Sequence, residues 1–217
     1  LTVNPATLTY VANAASTTYG TAASGLSGSI SGFVNGDTQA SATSGSLLFS
    51  TPATALSNVG QYAINGSGLT ANNSNYVFVQ DSGNATALTI NPAALTITAN
   101  NTSKTYGQTA LLTYSSSGLQ NSETIGSVDL SSAGSVATAN VAGSPYAIVA
   151  SNATGGTFNA GNYSISYVDG ELTVTPAALT ISANNASKSY GQTASLTYSS
   201  SGLQNSQTIG RIDLSSA

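Results

Sequence analysis

The chain has 217 residues, of which only three are Lys or Arg and seven are Asp or Glu, so its net charge is −4. It contains no His and no Cys, and therefore no imidazole base, no thiolate nucleophile and no soft ligand for a transition metal. This composition excludes most familiar catalytic and metal chemistries, and three positive charges are too few to neutralise a nucleic-acid backbone. We expect a protein that is not an enzyme and that uses no cofactor and no metal.

A repeated segment determines the order of the predicted elements. Leu1–Tyr10 returns as Leu88–Ile97 and again as Leu172–Ile181, and residues 172–217 differ from 88–133 at only nine of 46 positions. A period this long matches a small independent domain and not one coil of a solenoid. The predicted organisation, in chain order, is a terminal strand of a preceding repeat at 1–5, complete repeats at 6–91 and 92–175, and the first half of a third repeat at 176–217.

Within each repeat, the apolar residues favour strands. Leu95, Ile97 and Ala99 alternate with threonines, and Leu172 and Val174 do the same, which is the period-two pattern of a half-buried strand. We predict about six strands per repeat and an all-β fold. No stretch is apolar enough for a membrane helix, so membrane insertion is not expected.

Two local features complete the predicted elements. The segment Asn35–Thr38 predicts the start of a helix of one or two turns, with Asp37 as its cap. The pair Asp169-Gly170 predicts a hairpin turn between the strands Tyr163–Val168 and Glu171–Thr175, because Asp-Gly tolerates the positive φ angles of such turns.

Short joints connect the repeats. Each carries a proline, which fixes its own φ and favours an extended residue before it; these prolines are Pro5, Pro92 and Pro176. Such a joint is short and stiff, unlike a flexible Gly/Ser tether. We therefore expect neighbouring repeats to hold a restricted mutual angle.

A Tyr-Gly pair recurs at one offset in every repeat, as Tyr19-Gly20, Tyr106-Gly107 and Tyr190-Gly191. The tyrosine ring is suited either to stacking on a sugar or to packing in the core or between repeats, and packing is favoured. The glycine permits a turn or a close backbone approach. These six residues are the candidate site.

These residues resemble a known family. The stretch Pro92–Gly107, followed by Ser117-Gly-Leu119, Tyr146-Ala-Ile148, Gly161-Asn-Tyr163 and Leu172–Pro176, is similar to an MBG domain of the YGX type over essentially the whole chain. The resemblance implies tandem small modules of β-grasp-like or sandwich topology in secreted bacterial surface proteins, including haemagglutinin-like adhesins. It implies no catalytic motif. The sequence of the element at Asn35–Thr38 is not kept in the second and third copies of the repeat. The role that this element has in the family therefore does not carry over directly to those copies.

Other candidate residues have simpler explanations. Asp169 and Glu171 form the densest carboxylate pair, but a turn and a solvated strand start explain them without glycosidase chemistry. Lys104 and Lys188 precede the Tyr-Gly pair, and exposed lysines are favoured over buried partners of an isopeptide bond.

The function expected from the sequence is mechanical. We predict the stalk or spacer region of an extracellular, cell-surface bacterial adhesin or biofilm-matrix protein, whose partners are other repeats of the same chain. With few charges to protect them, strand edges could pair between chains into fibres. The alternative is an adhesive module that binds host or matrix glycans.

Overall fold

A computed structural model describes residues 1–216. Strands hold 44% of the residues and helices 7%, which confirms the all-β prediction. Among the described residues, no helix has the length and apolar character needed to cross a membrane. The chain divides into two compact units: the first contains Leu1–Thr96, Ser117–Ser127 and Thr154–Ser166, and the second contains Ile97–Ser116, Val128–Ala153 and the residues from Tyr167 onward.

The first repeat consists of short strands with one helical turn. The elements are β1 (Ala6–Ala12), β2 (Ala15–Thr18), β3 (Gly28–Ser31), α1 (Gln39–Ala42), β4 (Thr43–Ser50), β5 (Gly60–Tyr62), β6 (Asn65–Ala71), β7 (Tyr76–Gln80), a 3-10 turn (Ser82–Thr86) and β8 (Leu88–Asn91). The number of strands exceeds the predicted six, because short segments between the turns also pair.

Small sheets organise this repeat. The first has the order β3-β1-β7, in which β3 is antiparallel and β7 parallel to β1. The second has the order β2-β8-β5, and β4 pairs with β6. Leu8 of β1 is fully buried against Ala42 of α1 and Tyr76 of β7. A helical turn therefore packs on the parallel strand pair β1 and β7.

The predicted helix exists, but its cap is not the predicted residue. The helix α1 is a single turn, and the Thr38 side chain caps it by accepting a hydrogen bond from the Ser41 backbone. Asp37 instead accepts a hydrogen bond of 2.7 Å from the hydroxyl of Tyr76. The prediction that Asp37 caps the helix was therefore wrong, because a tyrosine 39 residues away occupies its carboxylate.

The second repeat follows the same plan. Its elements are β9 (Ala93–Ala99), β10 (Thr102–Thr105), β11 (Tyr114–Ser117), β12 (Ile125–Ser131), a 3-10 turn (Val141–Gly143), β13 (Tyr146–Gly156), a second 3-10 turn (Ala160–Asn162), β14 (Tyr163–Val168) and β15 (Gly170–Thr175). The sheet orders are β11-β9-β14 and β10-β15-β13-β12. They reproduce β3-β1-β7 and β2-β8-β5 of the first repeat, and Leu95 and Ile97 are buried as their alternation predicts.

The predicted hairpin at Asp169-Gly170 is absent. The strands on either side belong to different sheets, since β14 pairs with β9 whereas β15 lies between β10 and β13. Gly170 packs against the backbone of Ala99. The segment is therefore a corner between two sheets. Neither Asp169 nor Gly170 adopts the positive φ that the predicted hairpin turn requires, so the prediction was wrong.

The third copy contributes an antiparallel pair, β16 (Thr180–Ala183) and β17 (Tyr198–Ser201), in the register Thr180↔Ser201. This pair corresponds to β1 with β3 and to β9 with β11.

Candidate functional site

The first Tyr-Gly pair is positioned by a parallel strand pair. β2 runs beside β8 in the register Thr18↔Asn91, and the Tyr19 backbone N–H extends this ladder with a hydrogen bond of 2.9 Å to the Asn91 carbonyl. Pro92 follows immediately and leads into β9 of the next repeat. Tyr19 therefore lies at the point where the chain leaves the first repeat, and its side chain is only 4% exposed.

A carboxylate of the second repeat binds this tyrosine. The Tyr19 hydroxyl donates a hydrogen bond of 2.6 Å to Oε1 of Glu123. The Tyr163 hydroxyl donates to Oε2 of the same side chain and accepts a bond of 2.9 Å from the backbone N–H of Gln120. The two rings meet edge to face at 5.5 Å, a favoured aromatic geometry. One carboxylate thus joins a tyrosine of each repeat.

This environment raises the pKa of both phenols. Burial, followed by the hydrogen bond to Glu123, raises the pKa of Tyr163 to about 12. For Tyr19 the hydrogen bond to Glu123 is the larger cause and burial the second, and together they raise the pKa above its usual value. A neighbouring carboxylate disfavours a second negative charge, so both tyrosines act as hydrogen-bond donors at neutral pH.

A buried amide adds a second contact between the repeats. Asn162 is 2% exposed. Its Oδ1 accepts a hydrogen bond of 3.0 Å from the backbone N–H of Val59, and its Nδ2 donates one of 2.9 Å to Oδ1 of Asn58. At the rim, Nδ2 of Asn121 donates to the Ala55 carbonyl at 3.2 Å.

The glycine of the pair is required by close packing. Gly20 has a φ of +88°, and a Cβ added there would collide with the side chain of Gln120, with 2.8 Å to its Cβ. A side chain at this position would be strained by the backbone conformation and would also push the second repeat away. We define the first joint by the residues that meet here: Tyr19, Gly20, Asn58, Val59, Gln120, Asn121, Glu123, Asn162 and Tyr163.

The second joint repeats part of this arrangement. The Tyr106 N–H donates to the Thr175 carbonyl at 2.8 Å, and Nδ2 of Asn205 donates to the Ala137 carbonyl at 3.1 Å. Gly107, at φ +92°, packs against the Gln204 side chain. A cavity of about 240 Å³ lies beside Tyr106 and is lined also by Gln204 and Gln207, the counterparts of Gln120 and Glu123.

The remaining predicted residues lie as follows. Tyr190 is fully exposed, and a Cβ added to Gly191 would meet nothing within 4 Å. Pro5 directly precedes β1, Pro92 separates β8 from β9, and Pro176 directly follows β15. The structure thus places every predicted proline beside a strand end.

Lys104 departs from the prediction of an exposed lysine. Its side chain is 7% exposed, and Nζ donates to the carbonyls of Gln108, at 2.8 Å, and of Val136. Carbonyl oxygens therefore replace water around the ammonium group. In the first repeat, Thr17 stands in this slot and donates to the Thr21 carbonyl at 3.1 Å. Lys188 is exposed, as predicted.

The carboxylates form no further centre in the part of the chain that the structure describes. Asp169 and Glu171 are both exposed. No group of three or more Asp or Glu among the described residues could hold a metal ion, and the ion pair recorded there, Arg211 with Asp213, is at the surface.

Sequence reasoning found Tyr19 and Gly20 but missed the residues that receive them. Glu123, Asn162 and Tyr163 are more than 100 residues from their partners in the first repeat. The sequence carried one signal of this acceptor. The position of Glu123 in the repeat is occupied by Asp37 in the first copy and by Gln207 in the third, and all three side chains can accept hydrogen bonds.

The comparisons with known proteins support the division of the chain into tandem repeats. The model of the MBG domain (YGX type) matches residues 8–86 and again residues 95–173. No curated protein and no solved structure gave a significant match. The two matched segments cover well over half of the chain, and each contains most of the strands of one repeat. The chain therefore belongs to the MBG domain (YGX type) family and carries two copies in tandem.

Proposed function

We propose that this chain is a spacer region of an extracellular adhesin-like protein of bacteria, in which the joints between MBG repeats limit bending. MBG repeats are typical of extracellular adhesin-like proteins. The spacer role, the placement at the bacterial surface and any role in a biofilm matrix are our inferences from the repeat and its joints.

One observation carries the proposal: Tyr19 and Tyr163, from consecutive repeats, share the carboxylate of Glu123. Charge-assisted hydrogen bonds of this kind are about twice as strong as neutral ones. A freely hinged linker would need no buried polar contact between repeats. Here Pro92 is the single residue between β8 and β9, so a stiff backbone connection and a side-chain contact act together.

The test is the width of a distance distribution between two spin labels. The chain has no native cysteine, so Ser46→Cys in the first repeat and Ser164→Cys in the second can be labelled specifically. Both positions are exposed and belong to the compact unit that contains this joint. The proposal predicts a narrow distribution for the parent chain. It predicts at least a twofold broadening when Tyr19→Ser and Glu123→Ala are combined.

Glu171→Ala is the matched control, because Glu171 is the other glutamate of the chain and is exposed. It should leave the distribution unchanged. A parent distribution as broad as that of a Gly/Ser linker would exclude the spacer role.

Glycan binding by the Tyr-Gly element is the alternative. At the first joint, the burial of the Tyr19 ring gives glycan binding no support, whereas the ring of Tyr190 is accessible. Binding of the whole chain to a glycan array, lost on Tyr190→Ser, would favour this alternative.

A further inference from the structure

The strand β7 forms one edge of the sheet β3-β1-β7, and its outward face is apolar. Its sequence is Tyr-Val-Phe-Val-Gln. Val77 and Val79 are 46% and 43% exposed, whereas Tyr76 is buried in the core. Because side chains alternate along a strand, the two valines stand on the solvent face of an edge strand.

The exposure of these valines does not depend on which repeat comes next along the chain. Their counterparts in the second repeat are Ser164 and Ser166 of β14, which forms an edge of the equivalent sheet β11-β9-β14. A complete repeat precedes β14 and contacts its first residue, Tyr163, yet both serines remain exposed. A repeat joined in the same way before β7 would leave Val77 and Val79 accessible as well.

Alternate backbone groups of β7 point away from the sheet. β1 and β7 run parallel, and β1 also bonds the carbonyl of Asn75 and the N–H of Asp81 at the two ends of β7. Backbone groups alternate in direction along a strand, so the odd-numbered residues of β7 bond to β1. The N–H and C=O groups of Tyr76, Phe78 and Gln80 therefore face the open side, where no strand pairs with β7 among the described residues.

Several other edge strands carry features that discourage pairing with another chain, and β7 carries none of them. β3, at the opposite edge of the sheet, has only four residues, β4 has a bulge between Gly45 and Leu48, and β12 carries the exposed Asp129. Short length, bulges and charges all protect a strand edge. β7 has no charged residue, no Gly and no Pro, and its Tyr, Val and Phe residues favour strands.

We propose that β7 is an interface between two copies of this chain, in which the β7 strands pair antiparallel about a two-fold axis at Phe78. In this register Phe78 exchanges both backbone hydrogen bonds with the partner's Phe78, and Tyr76 does so with the partner's Gln80. All the outward-facing N–H and C=O groups of β7 are then paired. Val77 lies opposite the partner's Val79 as a non-hydrogen-bonded pair, in which side chains approach most closely.

A second copy fits this edge because β7 complements itself. The two-fold register brings valine against valine on the solvent face, and cross-strand pairs of apolar residues stabilise a sheet. Residues 76–80 carry no charge, so no like charges meet, and a net charge of −4 over 217 residues gives little repulsion between copies. The contact is isologous and therefore closes at two chains.

Sedimentation of the whole chain over a range of concentrations tests the interface. We expect a monomer–dimer equilibrium without larger species, because the two-fold contact occupies β7 in both chains. Val77→Ser combined with Val79→Ser gives β7 the outward residues of β14, and it should lower the association constant at least tenfold. This variant should keep its fold, since the second repeat carries serine at both positions.

Leu48→Ser is the matched control, because Leu48 is 58% exposed and lies on β4. It should leave association unchanged. Chains that stay monomeric to about 1 mM, or association that the double serine variant does not weaken, would overturn the proposal. Growth beyond a dimer would also contradict it, since growth requires a second interface.

Disulfide trapping tests the register itself. Non-hydrogen-bonded partners lie about 4.5 Å apart between Cα atoms, a separation that a disulfide can bridge. Val77→Cys chains mixed with Val79→Cys chains should form a covalent dimer at least tenfold faster than either variant alone, and faster than Val77→Cys mixed with Ser166→Cys of β14. Equal rates would contradict the two-fold pairing. The interface does not depend on the spacer role, because chains that never associate can still have stiff internal joints.

Discussion

At the scale of single residues, Glu123 is the side chain on which the joint depends. Glu123→Ala leaves two buried tyrosine hydroxyls without their acceptor, and a buried unsatisfied polar group costs about 1–3 kcal/mol. We expect the free energy of unfolding, measured in urea, to fall by about that amount.

Glu123→Gln should cost less, because an amide oxygen still accepts a hydrogen bond and Gln207 stands in this slot in the third copy. Glu171→Ala again serves as the control. Equal losses for Glu123→Ala and Glu171→Ala would show that the shared carboxylate contributes nothing measurable.

The tyrosines of the joint make its stability sensitive to alkaline pH. The folded pKa of Tyr163, about 12, lies above the ordinary value of 10.0, and that of Tyr19 is raised as well. A raised folded pKa contributes stability that is fully present below pH 10 and is lost as the pH rises toward 12.

We therefore expect the melting temperature to fall between pH 10 and pH 12. The chain has eleven tyrosines, so the informative quantity is the difference from a Tyr19→Phe, Tyr163→Phe double variant. That variant should be less stable at pH 8 and should lose less on going to pH 12. Parallel curves for the two proteins would disprove the assignment.

At the scale of elements, the turn that carries Gly20 is fixed by two separate constraints. Its φ of +88° disfavours any side chain, and Gln120 occupies the space that a Cβ would need. Gly20→Ala should therefore lower stability by more than the roughly 1–2 kcal/mol of backbone strain alone.

Gly25→Ala isolates that strain, because Gly25 has a φ of +65° and nothing within 4 Å of an added Cβ. Thermal unfolding of both variants measures the difference between them. If the two substitutions lower the stability equally, the Gln120 side chain moves aside at no cost and the turn is not tightly packed in the joint.

The strands themselves were largely predictable, because burial on one face of a sheet leaves a period of two in the sequence. Leu95 and Ile97 show this in β9, and the repeated segments correctly matched β1 with β9. Sheet membership was not predictable from the same signal. Asp169-Gly170 joins two strands with alternating apolar residues. This pattern is the same whether the two strands pair with each other or belong to different sheets, and only the tertiary structure distinguishes the two arrangements.

The joint was harder to predict than the strands. A tyrosine before a glycine indicates packing, but its acceptor lies in another repeat, and acid residues at turns usually indicate caps or solvated groups. Asp37 was assigned to a helix cap for that reason. Lys104 was missed because burial of an ammonium group by backbone carbonyls leaves no pattern in the sequence.

At the scale of the whole molecule, side-chain joints make each repeat part of its neighbour's stability. In repeat proteins, stability is approximately the sum of the intrinsic stability of each repeat and of the contacts between neighbours. In this chain the residues of the second repeat that receive Tyr19 belong to the same compact unit as the first repeat. A substitution in the first repeat should therefore weaken specific parts of the second.

Amide hydrogen exchange can measure this coupling residue by residue. The Gln120 N–H, bonded to the Tyr163 hydroxyl, reports on the joint, whereas the Val174 N–H, bonded to Oγ of Ser144, reports on a part of the second repeat outside it. Tyr19→Ser should raise the exchange rate of the first amide at least tenfold. In the parent chain, the local opening that exposes this N–H must also break the contact with Tyr19, and in the variant that cost is gone. The second amide should keep its rate. Equal acceleration of both would show that the second repeat opens as one body, and no acceleration of either would mean that the joint adds nothing to its stability.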